Sequence, residues 1–373
     1  MNAITNTLFL CGDVMTGRGV DQILPSPSDP RIYEEFVRDA RDYVRLAEIA
    51  NGPLSPLKDL SELWHDVSEE FRRFAPDVKV VNLETAITTS QEYWPGKGIN
   101  YRMSPSNAPL LSSLGVDCCA LANNHTLDWG YQGLEETLAV LKRLGIRTCG
   151  AGTNRAQAVA PAVLPGKQGT AVGVLSIGLV SSGIPVSWSA TAERGGLFVV
   201  SEVTHSRVEE ISDLVRPLKA TGTLVVASIH WGGNWGYEIS DDQRWLAHAL
   251  IDHAGVDIIH GHSSHHVKAL EVYKGKLIMY GCGDFINDYE GIGGYERYRA
   301  DLGCMYFPTL DAQTGELLSC VMVPTRIFGL RPHRVAGPDA QWLARTFSEH
   351  GFSLGTWVEL SSRGDLVLQW SRP

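Results

Sequence analysis

Apolar runs of strand length take turns with helical patterns from the N-terminus to about Ser264, and this alternation limits the chain to few architectures. "TLFLCGD", "VKVVNLE", "VDCCALANN", "RTCGAG", "TAVGVLSIG", "TLVVASIHWG" and "VDIIHGHS" read as strands. Between them "EEFRRFAPD", "APLLSSLG", "LEETLAVLKRLG", a segment from about Asn154, "SRVEEISDLVRPLKATG" and "DDQRWLAHALIDHAG" read as helices. The rhythm predicts an α/β fold, with strands covered by helices and reactive groups gathered at the carboxyl ends of the strands. After Ser264 the pattern changes. "ALEVYKGKLIMYG", "CMYFPTLD" and "LLSCVMVPTRI" are joined by turn signals and predict antiparallel pairing, followed by a helix at "DAQWLARTFSEHG" and a strand at "DLVLQW". The Pro-rich "ILPSPSDP" and the helical "RIYEEFVRDARDYVRLAEIA" interrupt the alternation as a helical excursion at about 21–64.

With 373 residues, 44% of them hydrophobic, the chain can fill the core of one large domain, and we read 1–373 as a single domain. The formal net charge of -10 comes without a compensating basic block, which argues against nucleic acid or an anionic membrane surface as partner. No segment reaches membrane-spanning length, and "MNAITNTLFLCGD" lacks the pattern of a signal peptide. The expectation is a cytoplasmic protein without membrane insertion, its oligomeric state left open by the sequence. The seven cysteines show no metal-ribbon spacing and read mostly as buried reduced thiols.

Polar groups able to bind metal follow the apolar runs repeatedly. "FLCGD" supplies Asp13, "VVNLE" supplies Asn82 and Glu84, "ALANNH" supplies Asn124 and His125, and "VVASIH" supplies His230. "DIIHGHSSHH" adds His260, His262, His265 and His266. Carboxylate, amide and imidazole together suit divalent metals such as Mn, Fe, Zn or Co. Each stretch alone has a plainer reading: an Asp after a strand most often caps a turn, a lone His is usually a hydrogen-bonded core residue, and "ANNH" can close a strand with an Asx turn. Five such endings in one chain outweigh coincidence.

In order, "GDVMTGRG", "VVNLET", "YRMSPSNAPLLSSLGVDCCALANNHTLDWG", "IHWG" and "GVDIIHGHSSHHV...EVYKGKLIMYGCGDF" resemble the signature of the CapA or PGA-cap family, bacterial proteins named for poly-gamma-glutamate capsule synthesis. That family is similar to the calcineurin-like metallophosphoesterases, and "NNHTLDWG" looks like the GNHEFDYG block of 5'-nucleotidases. The resemblance implies a four-layer α/β/β/α sandwich with two divalent metal ions at the strand ends. It places Asp13 and His265 on the first metal, Glu84 in the bridging place with Asn82 beside it, and Asn124, His230 and His262 on the second metal. His125, paired with Asp128, would stand as proton donor to the leaving oxygen, in the imidazolium form. His260 and His266 would be supporting or structural. Arg18 and Arg102 have two readings, as contacts to an anionic substrate or as ion-pair residues.

The implied activity is metal-dependent hydrolysis of a phosphoester by a metal-activated hydroxide, on a small or polymeric anionic substrate. The alternatives are gamma-glutamyl amide processing on a poly-gamma-glutamate chain and a non-hydrolytic accessory role in capsule polymer synthesis. Three departures from the family pattern bear on this. Met15 stands where metallophosphoesterases carry a His ligand, and a thioether reads as packing material. "GNWGYE" delays to Glu238 a carboxylate that the family often has directly after "HWG". "GCGDF" puts Asp284 where Asn is common; with Asp288 and Glu290 it has two readings, added acidity near the centre or turn caps, and the caps are favoured.

Overall fold

Strand pairing gathers the alternating runs into two large sheets. The computed structural model describes residues 4–371. The path of the first sheet runs Asp284–Ile286, Asp13–Val14, Val78–Leu83, Thr5–Cys11, Leu302–Asp311, Leu317–Phe328, Leu366–Trp370, Thr356–Leu360, with Cys118–Ala120 joined to Val78–Leu83. Its Asp13 side is parallel and its C-terminal side antiparallel. The second sheet runs Val199–Val200, Ala171–Leu179, Leu224–His230, Ile258–His262, Lys276–Met279, Leu270–Tyr273, and is parallel apart from its last strand and the flanking Ala162–Pro165. The structure is therefore mixed α/β. The predicted antiparallel pairing is found for Leu270–Tyr273 with Lys276–Met279 and for 302–370, and Lys276–Met279 also pairs parallel with Ile258–His262, which joins that hairpin to the α/β part.

Three apolar cores follow from the strand faces. Leu8, Leu10, Val78 and Val80 of the first sheet pack with Val172, Val174, Val226 and Ile258 of the second. The opposite face of the first sheet carries Phe9, Val81 and Cys119 against Leu63, Trp64, Leu110, Leu134 and Leu141. The opposite face of the second carries Leu175, Ile177 and Ile229 against Val208, Ile211, Leu246 and Leu250 of the helical segments. Alternation of side chains along each strand produces this sorting, because neighbours in sequence point to opposite faces. All seven cysteines are buried and free, as their reading required.

One part of the excursion departs from the sequence pattern. A helix forms only over Arg41–Asn51, while the predicted earlier turns, 31–40, are non-helical. Tertiary contacts override local propensity here. Glu34 is drawn inward to the Arg18 guanidinium at 3.0 Å and to the Tyr43 hydroxyl, and Arg102 holds the carbonyls of Asp29 and Arg31.

A polar bridge joins the two sheets across their apolar interface. The His260 Nε2–H donates to the Cys11 carbonyl at 2.7 Å, and the Ser228 hydroxyl lies 3.1 Å from His260 Nδ1. Burial pushes His260 down to about 4, since the imidazolium form would lose its hydration. A folded value below the ordinary one means that stability is complete above about 6.5 and is lost as pH falls toward the folded value, by on the order of 3 kcal/mol in all. A His260→Gln variant lacks this proton linkage. The gap in unfolding free energy between wild type and His260→Gln, measured by urea denaturation of metal-free protein, is expected to narrow between pH 7 and pH 4.5. A gap that stays constant over that range contradicts the assignment.

Candidate metal centre

Register places the chelating groups. In the first sheet Asp284 lies opposite Asp13 and Asp13 opposite Asn82, on three adjacent parallel strands. In the second sheet His230 lies opposite His262. The strands bearing Asp13 and Asp284 approach unusually closely: the Asp13 amide donates to the Gly283 carbonyl at 2.9 Å, and a Cβ on Gly12 would sit 1.8 Å from that oxygen. Glycine at position 12 is thus the condition for bringing the two carboxylates together.

Two groups of ligand atoms result, each with its members within 4.8 Å of one another: Asp13 with His230 and His262, and Asp13 with His265 and Asp284. All five side chains are buried. Asp13 is common to both groups, which differs from the expectation that Glu84 bridges. Glu84 sits beside them, its Oε1 3.9 Å from His230 Nε2 and 3.8 Å from His125 Nε2. Asn82 orients both acids, donating from Nδ2 to Asp13 Oδ1 at 2.7 Å and to Glu84 Oε2 at 3.0 Å.

The two asparagines of "ANNH" do different work. Asn123 donates to Asn82 Oδ1 at 3.0 Å and accepts from the His125 amide and the Thr126 hydroxyl, so it scaffolds the turn. Asn124 turns the other way, with Oδ1 3.0 Å from His230 Nε2. His230 Nδ1 in turn lies 2.8 Å from His262 Nδ1, and His262 Nε2 meets the Ser228 hydroxyl at 2.8 Å. His266 is structural: its Nε2 accepts from the Gly236 amide and its Nδ1 faces the Val267 carbonyl. Met15 is fully buried.

Electrostatics show what the residues lack. Burial, and then the charge of Asp284, raise Asp13 to about 7; burial and then Asp13 raise Glu84 well above the usual carboxylate range. Burial alone would lower His265, but the charge of Asp284 and a 3.0 Å bond to its Oδ1 raise it above its ordinary value. His230 and His262 are pushed down by burial, so both offer neutral nitrogen. Raised carboxylates beside neutral imidazoles are a site whose own side chains do not supply enough positive charge. A divalent cation would supply what is missing, and the carboxylate, amide and imidazole donors present suit one.

At the edge of this cluster, Asp128 accepts from His125 Nδ1 at 2.7 Å and from the Tyr101 amide at 2.7 Å. The Asp128 carboxylate only accepts, so the shorter bond to it puts the proton on Nδ1 and leaves Nε2 a lone pair toward Glu84, and the Lys97 ammonium beside Nδ1 then acts on the ring by charge and not as a hydrogen-bond donor. Lys97 bonds Asp128 Oδ1 and brings its ammonium within 2.9 Å of His125 Nδ1. Burial and then that ammonium hold His125 down at about 4. With these side chains alone that favours the neutral imidazole, where the resemblance implies an imidazolium donor.

Neither arginine is free for an anion. Arg18 is buried, clamped in two bonds to Asp288 (2.8 and 2.5 Å) and one to Glu34, and sandwiched by the rings of Tyr43 and Tyr101. Arg102 lies over Trp129 and donates to the Ser90, Asp29 and Arg31 carbonyls. For Arg18 the geometry supports the ion-pair alternative; Arg102 is buried and held by backbone carbonyls instead of a carboxylate.

Reading the sequence alone missed three participants. Asp284 is no turn cap but a member of the second group, held also by Asn287 Nδ2 at 2.6 Å. Its signal was a repeat: Cys-Gly-Asp occurs at 11–13 and again at 282–284. Asp288, likewise expected to cap a turn, anchors Arg18. Lys97 sits in a Pro-Gly-Lys-Gly turn that carries no signal for the role.

Residues 7–289 match the family described as bacterial capsule synthesis protein PGA_cap. A Mycobacterium tuberculosis protein named a probable polyglutamine synthesis accessory protein is 42% identical over 364 residues, covering 97% of this chain and 95% of its own. The PGA biosynthesis protein CapA of Bacillus subtilis is 28% identical, covering 62% of this chain and 58% of its own. The capsule biosynthesis protein CapA of Bacillus anthracis is 26% identical, covering 76% and 60%. A match across three quarters of the sequence, containing every residue of both ligand groups, identifies the chain as a member of the PGA_cap family.

Proposed function

We propose that this protein is a metal-dependent hydrolase that cleaves phosphoesters at a dinuclear centre. The observation that carries the reading is the pair of ligand groups sharing Asp13, with His125 and Asp128 set against Glu84 at their edge. Asp13, His265 and Asp284 would hold one ion. Asp13, His230 and His262, with Asn124 beside His230, would hold the other. When bound, such ions supply Lewis acidity toward a phosphoryl oxygen and acidify water. In the overall reaction the oxygen of water bonds to phosphorus, the bond to the leaving oxygen breaks, and that oxygen departs with a proton. His125 Nε2 is placed to take a proton and return it, and Asp128 fixes the tautomer that leaves Nε2 free. Lys97 neutralises Asp128 and keeps the imidazole uncharged between turnovers. The three apolar cores support an α/β/β/α layering of the kind phosphoesterases share.

The relatives' names favour a second reading, a non-hydrolytic accessory role in polyglutamate polymer synthesis, with gamma-glutamyl cleavage as a variant in which a carbonyl replaces the phosphoryl group. Both ligand groups consist of side chains fully able to bind metal, which supports catalysis over a decayed site.

Three outcomes test the hydrolase. Protein loaded with Mn and stripped of loose metal is expected to hold about two ions per chain by elemental analysis. Asp284→Ala should keep one and Asp13→Ala none, whereas equal retention in the two variants would break the shared-ligand arrangement. Asp13, raised to about 7, keeps a proton that a metal must displace, so metal affinity should fall as pH drops through about 7 and binding should release protons. Calorimetry at pH 6.5 and 8.5 in buffers of different ionisation enthalpy reads this directly; no proton release at pH 6.5 counts against it. In a screen of phosphomonoesters and phosphodiesters, His125→Gln should lower kcat by roughly 10²–10⁴-fold with metal content intact. Turnover by no loaded form of the wild type would move the accessory role to first place.

A further inference from the structure

A cavity of about 530 Å³ opens beside His265, and its walls are of two kinds. The apolar wall has Trp235 and Tyr295 stacked at 4.1 Å with planes 9° apart, joined by Ile99 and Ile292. Trp235 also approaches the His265 ring at 5.6 Å, and the Tyr289 hydroxyl lies 3.2 Å from His265 Nε2. Apolar surface is unusually open here: Ile99 is 42% exposed, Ile292 41% and Tyr295 43%. The residue that "GNWGYE" presents to the centre is thus Trp235, not a carboxylate. Glu238 lies further along the loop, and its carbonyl takes Lys268 at 2.5 Å.

The charged wall holds three arginines, each already paired within the protein. Arg18 is bound by Asp288 and Glu34. Arg299 is bound by Asp301 (2.8 Å) and Asp339 (2.9 Å), and Arg326 reaches the same two carboxylates. Glu290 accepts from the Gly329 and Leu330 amides. Among the described residues the cavity therefore offers no uncommitted cation. A chain of carboxylates entering it would be desolvated without a partner, which is costly. A flat uncharged ring gains apolar burial and aromatic contact there, in a volume typical of small-molecule pockets.

We propose that this cavity receives the uncharged aromatic group of a small phosphoester whose single anionic centre lies at the ligand groups around Asp13. The inference rests on the hydrolase reading and narrows it: the substrate is an aryl or similarly planar monoester, and an acidic polymer is excluded from the cavity.

The test compares 1-naphthyl phosphate with β-glycerophosphate on the Mn-loaded full-length protein. The ratio of their kcat/KM values is expected to exceed 100, and to fall at least 10-fold in Trp235→Ala and in Tyr295→Ala. Ile292→Ser, a milder change at an exposed position, should lower the same ratio and covers the case in which an aromatic variant misfolds. A ratio near one in the wild type, or one unmoved by all three substitutions, overturns the proposal. Binding separates this failure from failure of the hydrolase reading. If no ester is turned over, calorimetric titration with naphthylmethylphosphonate still decides: saturable binding weakened at least 10-fold by Tyr295→Ala supports the cavity assignment, and absence of binding to wild type refutes it.

Discussion

Mutual repulsion among three buried carboxylates, Asp13, Glu84 and Asp284, is the constraint around which the rest of the structure is organised. Burial and like charge both oppose ionisation of Asp13 and Glu84, so the cluster persists only where neighbours hold the acids in place. Asn82 bonds two of them, Asn123 fixes Asn82, His265 and Asn287 hold the third, and none of these supports brings a second permanent positive charge. Strand register does the rest, because the carboxylates and the facing His230 and His262 project from the ends of parallel strands in two sheets. The apolar cores give that register its certainty: slipping a strand by one residue would send Val80 and Leu10 to the wrong face.

The parts of the molecule that were legible in the sequence are those governed by periodicity. Strands such as Ala171–Leu179 and Leu224–His230, and helices such as His205–Ala220, lie where the patterns put them, since an amphipathic run has one way to bury its apolar face. Segment 31–40 was misread as helix because inward-facing Glu34 is explained only by Arg18 and Tyr43, which come from elsewhere in the chain. The ligand residues at strand ends could be picked out because an apolar run makes a polar terminus conspicuous. Asp284 stood out too but was assigned to a turn cap, since its place beside Asp13 depends on pairing across the whole length of the α/β part. Lys97 and the proton state of His125 were hidden for a related reason: a charge contact between a turn and a helix entrance has no sequence period.

Membership in a capsule-synthesis family and a phosphoesterase-like set of ligands point to different chemistries only if the polymer itself must be the substrate. A protein serving a polymer pathway can act on a small phosphorylated compound. The paired arginines near His265 and the acidic character of the chain as a whole fit the small compound better than a polyanion.

Arg18 joins segments 270 residues apart by binding Asp288, and the strand carrying Asp13 needs the one carrying Asp284 before the second ligand group exists. During synthesis the first acid therefore leaves the ribosome long before its partner. A chain ending before His262 would carry Asp13 and Asn82 with neither ligand group complete, and the second group would need the chain as far as Asp284. Metal loading would thereby follow synthesis of the α/β part instead of accompanying it.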